Sequence, residues 1–144
     1  MKKYNYAIGI DPGTHTGLAV WRIDAQQLWS IETMPIHKAF EKIKSMAQAD
    51  GSIIVRFEDA GLRKWFGNTG AEKWKGAGSI MRDCSIWEEF LTDLKIPFEK
   101  VAPKNNITKL RAEQFRLITG YTATTNEHGR DAAMLVFNYK NKAQ

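Results

Sequence analysis

Four side chains of this 144-residue chain, Asp11, Glu58, His128 and Asp131, are of types that bind divalent cations. Asp11 lies in the stretch Ile8-Gly9-Ile10-Asp11-Pro12-Gly13-Thr14-His15-Thr16-Gly17. Side chains alternate across a strand, so Ala7, Gly9 and Asp11 share one face and Ile8 and Ile10 the other, leaving the carboxylate between small neighbours. A solvated Asp-Pro-Gly turn accounts for the same residues without any chemistry. Glu58 ends the apolar run Ile53-Ile54-Val55-Arg56-Phe57 and is expected at the edge of a sheet, with the adjacent Asp59 as its rival. An acidic pair that merely ends a strand in water is the plainer reading. His128 and Asp131, in His128-Gly129-Arg130-Asp131, share one face of a helix start and are near enough to grip a common ion. Asp131 set against the helix macrodipole explains that position equally well.

The chemistry such a set suits is phosphodiester hydrolysis, which needs an activated water and charge neutralisation at the leaving oxygen. Two divalent cations about 4 Å apart supply both. Carboxylates at the ends of two neighbouring strands, joined by ligands from a helix, make a site of that kind.

The elements that must position these residues are readable from periodicity. Tyr4 to Ile10, Leu18 to Ile23 and Leu28 to Met34 have extended propensity and form a predicted three-stranded meander, with a turn-rich loop from Asp11 to Gly17. Ile36, Phe40, Ile43 and Ala47 recur at helical spacing and predict a crossover helix that Gly51 ends. The branched apolar run from Ile53 reads as a central, parallel strand covered on both faces. Ile80, Cys84, Trp87, Leu91 and Leu94 predict a second helix, Phe98 to Val101 a short strand, and Thr108 to Ile118 a basic helix. A last helix runs through Met134, Leu135 and Phe137, with Thr124 as its cap and Glu127 completing a capping box. A meander followed by helix–strand alternation is an α/β arrangement: a mixed five-stranded sheet with helices on both faces, in one domain over 1–144.

Composition sets wider bounds. A hydrophobic share of 43% and a charged share of 26% suit a soluble globular domain, and five tryptophans argue against disorder. A net charge of +5 permits a polyanionic partner without requiring one. Cys84 is the sole cysteine, which excludes an intrachain disulfide or a thiolate zinc cluster and favours a reducing, cytoplasmic setting. Asp11-Pro12-Gly13 interrupts any signal-peptide stretch, and no apolar run suits a membrane span.

Between Asp59 and Gly78 the apolar period disappears, and five glycines alternate with Arg63, Lys64, Trp65, Phe66, Lys73, Trp74 and Lys75. This predicts a long functional loop, in which aromatic faces stack on unpaired bases while cations take phosphates. Lys100, Lys104, Lys109, Arg111 and Arg116 form a second basic group, and a solvated charged face is the alternative for both.

In these residues the chain resembles the RuvC-type Holliday-junction resolvases. That family opens with a strand ending in Asp-Pro-Gly-Ser/Thr and a following glycine, as Ile8 to Gly17 does. Its second acid, a glutamate ending the fourth strand, corresponds to Glu58, and its last acidic pair, at the head of an alanine-rich helix, to His128 and Asp131. The resemblance implies a ribonuclease H-like fold and a nuclease with two divalent cations, Mg²⁺ or Mn²⁺, at these four residues, and no organic cofactor. It also implies a homodimer that cuts branched DNA at a four-way junction. Many members have aspartate where His128 stands, and imidazole favours Mn²⁺ over Mg²⁺. The apolar residue that the family places three positions beyond the glutamate is Gly61 here, with Trp65 or Phe66 left to replace it. The helix from Ile80 to Leu94, with Ile86 and Phe90, lines either the dimer interface or the core. Within the same fold, a nuclease that matures ribosomal RNA is the rival, and a non-catalytic nucleic-acid-binding module is another. Actin-like kinases share Asp-x-Gly-Thr but need two lobes, for which this chain is too short.

Overall fold

Tyr6–Asp11 (β1) is buried on both faces, with Ile8 and Ile10 on one and Ala7 and Gly9 on the other, so it has the centre of the sheet. The computed structural model describes residues 3–49, 52–60 and 71–142, and side chains there except at 71–77 and 80. His15–Arg22 (β2) and Gln27–Pro35 (β3) continue antiparallel from β1, and helix Ile36–Ala49 (α1) carries the chain across to Ile53–Glu58 (β4), parallel to β1. Helix Ala71–Asp93 (α2) leads to Phe98–Val101 (β5), parallel to β4. A 3-10 turn, Pro103–Asn105, precedes helices Ala112–Thr119 (α3) and Glu127–Met134 (α4). The strand order is β3-β2-β1-β4-β5, a mixed five-stranded sheet as expected.

Each face of the sheet has its own core. Ile8, Ile10, Leu18, Val20, Val55 and Phe57 pack against Ala39 and Ile43 of α1 and Cys84, Trp87 and Leu91 of α2. On the other face Ala7, Ala19, Trp21 and Ile54 meet Phe115 of α3 and Ala132, Ala133, Leu135 and Val136 at α4. The stripe on α2 is therefore core at Cys84, Trp87 and Leu91, with Phe90 partly buried, while Ile86 is exposed. Among the described residues no helix is long and apolar enough to cross a membrane.

Four boundaries differ from expectation. The second strand begins at His15, because the Thr16 hydroxyl donates to the Gly13 carbonyl at 2.8 Å and shortens the turn. The predicted glycine-rich loop is helical from Ala71 onward. A helix already anchored by Cys84, Trp87 and Leu91 extends cheaply through Ala71, Glu72, Lys73 and Lys75, and each glycine costs only about 1 kcal/mol. The basic helix starts at Ala112 rather than Thr108, since Lys109 is left-handed at φ 59°. The last helix is capped by Asn126, not Thr124: its side-chain oxygen accepts from the Gly129 amide at 2.9 Å, and the regular helix ends at Met134.

The approach of α4 to the sheet decides where its side chains lie. A methyl at Gly9 would overlap the Ala132 carbonyl, and one at Gly17 would overlap the His128 carbonyl. Both obstacles are backbone, which cannot swing aside. Gly17→Ala should therefore cost roughly 1–3 kcal/mol or more of stability. Urea denaturation checks this, and an unchanged midpoint would show that α4 does not bear on β2 as described.

Candidate active site

Asp11 and Glu58 end adjacent parallel strands, one step beyond the Ile10–Phe57 pair. Alternation turns both toward α4: Ala7 and Gly9 share the face of Asp11, and Ile54 and Arg56, which meet that face's core and the Leu135 carbonyl, share the face of Glu58. From the first turn of α4, His128 Nδ1 lies 2.8 Å from Asp11 Oδ2. Asp131 Oδ1 accepts from the Lys109 amide at 2.9 Å. Asn106 Nδ2 donates to Glu58 Oε2 at 3.2 Å and faces the Asp131 carbonyl at 3.4 Å. Residues from three stretches distant in sequence thus come to one end of the sheet, where His128 and Asp11 are in direct contact.

Burial raises the Asp11 carboxyl from its ordinary 3.8 to about 6, with nearby Asp131 and Glu58 pushing the same way and His128 pulling it down. Burial also raises Asp131, against the Lys109 amide that lowers it. A part-buried acid surrounded by other acids is a place where positive charge is favoured. As the side chains stand, no group of three or more His, Cys, Asp or Glu among the described residues is arranged to hold a metal ion. The donor chemistry nevertheless fits a hard or borderline divalent cation: three carboxylates and an imidazole, with no thiolate.

The basic residues divide. Lys104 and Lys109 are exposed next to this end of the sheet. Lys100 is engaged by Glu88 at 3.4 Å and Asp59 at 3.8 Å. Lys73, Trp74 and Lys75 fall on the first turns of α2. Arg63, Lys64, Trp65 and Phe66 lie outside the described residues.

Two residues of the site carry no signal in the sequence. Asn106 sits in an aperiodic stretch after β5. Arg130 reads as a surface residue of α4, yet its Nε donates to the Leu110 carbonyl at 2.8 Å and its Nη1 to the Thr125 carbonyl at 3.0 Å. Asn126 is a good cap residue by type alone, and that signal is open to a reading of the sequence.

No family model matches the chain, and no curated protein does. Among solved structures it is similar to Thermus thermophilus RuvC in complex with a Holliday junction substrate, with a TM-score of 0.58 and 16% identity over 92% of this chain and 91% of that one. A second structure of Thermus thermophilus RuvC gives a TM-score of 0.53 at 16% identity, over 91% and 90% of the two chains. At that identity the likeness is one of architecture, and the chain has the ribonuclease H-like fold.

The Asp11 shift has a consequence for stability. The folded chain holds this proton more tightly than the unfolded chain, so its contribution is full below pH 3.8 and is lost as pH rises through about 6. In metal-free buffer at pH 8, Asp11→Asn should therefore be more stable than wild type, by on the order of 1–3 kcal/mol. At pH 4 the gap should close. Denaturation curves that keep the same separation at both pH values would show that Asp11 is not penalised by burial.

Proposed function

We propose that the chain is a metal-dependent endonuclease of branched DNA, with Asp11, Glu58, His128 and Asp131 as its cation ligands. The observation that supports this most is their convergence at the ends of β1 and β4, where the half-buried Asp11 carboxyl is disfavoured as a bare anion. Two divalent cations bound there would supply an activated water and neutralise charge on the leaving oxygen. The chain's own contribution is placement. Asp11 and Glu58 are fixed by strands, His128 and Asp131 by the first two turns of a helix docked on those strands. Lys104 and Lys109, exposed nearby, contact flanking phosphates. In this reading Trp65, Phe66 and Trp74 stack on bases exposed at the branch, and Arg63, Lys64, Lys73 and Lys75 take phosphates around it.

A four-way junction has two-fold symmetry, which a homodimer with one site per subunit would match. The free, buried Cys84 suits a reducing, cytoplasmic setting. Mn²⁺ should serve at least as well as Mg²⁺, because one ligand is an imidazole.

The direct test is cutting of a labelled four-way junction, compared with flaps, duplex and structured RNA, in Mn²⁺ and in Mg²⁺. Wild type should cut the junction, and Asp11→Asn should lose cutting while still binding it, since phosphate contacts elsewhere persist. Equal loss of both would count against Asp11 as a ligand, and preferential cutting of structured RNA would favour an RNA-processing role. In the same titrations His128→Asp should move the preference from Mn²⁺ toward Mg²⁺. Identical metal preference in the two proteins would remove His128 from the ligand set.

A further inference from the structure

The segment from Pro103 to Arg111 does more than join β5 to α3. It crosses the site and is tied to α4 at three points. Asn106 Nδ2 faces both Glu58 Oε2 at 3.2 Å and the Asp131 carbonyl at 3.4 Å. The Lys109 amide donates to Asp131 Oδ1 at 2.9 Å from a left-handed backbone. The Leu110 carbonyl accepts from Arg130 Nε at 2.8 Å. Lys109 and Leu110 hold only α4. Of the three, Asn106 spans the gap, with one contact on the end of β4 and one on the helix.

The side-chain type follows from those partners. Both are acceptors, a carboxylate and a carbonyl, so the amide must present its nitrogen to them. Lysine would also donate there, but its charge would neutralise Glu58 and compete with a cation. Aspartate would have the same shape but would set an acceptor against two acceptors. A neutral amide holds Glu58 by one oxygen, Oε2, without adding an opposing charge, and leaves the other oxygen for a ligand.

We propose that Asn106 is the positioning residue of the site: by hydrogen-bonding Glu58 and α4 together, it sets the separation of the β4 carboxylate from Asp131. The proposal rests on the reading of Asp11, Glu58, His128 and Asp131 as cation ligands. Asn106 touches neither the reacting phosphate nor a cation in this scheme; it acts through Glu58. Residues that orient metal ligands typically govern 10–100-fold in metal affinity or activity.

The test compares wild type with Asn106→Ala and Asn106→Leu in the full chain. Mn²⁺ affinity is measured by titration calorimetry, kcat and KM on a labelled four-way junction, and melting temperature without metal. Both variants should lose about tenfold or more in Mn²⁺ affinity and in kcat, while KM for the junction stays within about twofold and both fold as wild type does. Asn106→Leu is the sharper arm, because it keeps about the same size and removes the donor without adding charge beside Glu58. The inference is overturned if Asn106→Leu keeps wild-type affinity and rate, or if the losses only follow a lowered melting temperature. A wild-type protein that neither binds Mn²⁺ nor cuts would defeat the proposed function, and this inference with it. One that does both, beside unaffected Asn106 variants, would defeat this inference alone.

Discussion

The arrangement depends on how closely the backbone of α4 lies against β1 and β2. Gly9 faces the Ala132 carbonyl and Gly17 the His128 carbonyl, with no room at either for a side chain. Gly17 is the partner of Asp11 across the antiparallel pair, so the contact that seats the start of α4 is immediately beside the first carboxylate. The 2.8 Å approach of His128 to Asp11 follows from that seating. Small residues extend the contact along the helix, where Ala132 and Ala133 are buried against a sheet face that offers Ala7 and Ala19. Close packing of this kind gains many weak dispersion contacts but tolerates no added volume.

The two faces of the sheet solve different problems. Toward α1 and α2 the core is built from large groups, with the Phe40 ring centroid 4.5 Å from those of both Trp87 and Phe90. That side supplies most of the bulky apolar burial. Toward α4 small residues hold the helix near the strands, and polar groups are drawn into partial burial at the strand ends. Asp11 bears the electrostatic cost, its proton held up to about pH 6. A carboxylate in such a place contributes little to a fold by itself, because desolvation works against its charge. The cost is understandable where the charge has a positive partner to receive.

Regular patterns made the fold legible in the sequence. β4 was readable to the residue, since a branched apolar run bounded by Gly51 and Glu58 leaves few alternatives, and alternation gave the face of Asp11. The start of α2 was not readable, because Gly76 and Gly78 resemble loop residues until the buried stripe further along is known to anchor the helix. Thr124 and Asn126 are both good caps, and the choice fell to a tertiary contact: the Thr33 hydroxyl of β3 donates to the Asn126 side chain at 2.8 Å. The four candidate ligands stood out by type and placement. Asn106 did not, because its partners come from β4 and α4, far away in the chain, and no local period marks it.

In His128-Gly129-Arg130-Asp131 the two residues between the ligand candidates are constrained as tightly as the candidates themselves. Gly129 is buried with Ile31 Cγ2 2.7 Å from where its own Cβ would stand, so β3 presses on the helix between the two ligand candidates. Arg130 turns the other way and bonds the Leu110 and Thr125 carbonyls, gathering the segments before α3 and before α4 onto one guanidinium. At the far end, Arg56 of β4 donates to the Leu135 carbonyl and pairs with Glu99 at 3.5 Å. The helix is thus fixed at its start by glycine contacts and at its end by a strand arginine. A helix of 8 residues held at both ends has little freedom to slide or rotate. His128 and Asp131 are thus held in place by the two residues between them, Gly129 through its close contact with β3 and Arg130 through its carbonyl partners.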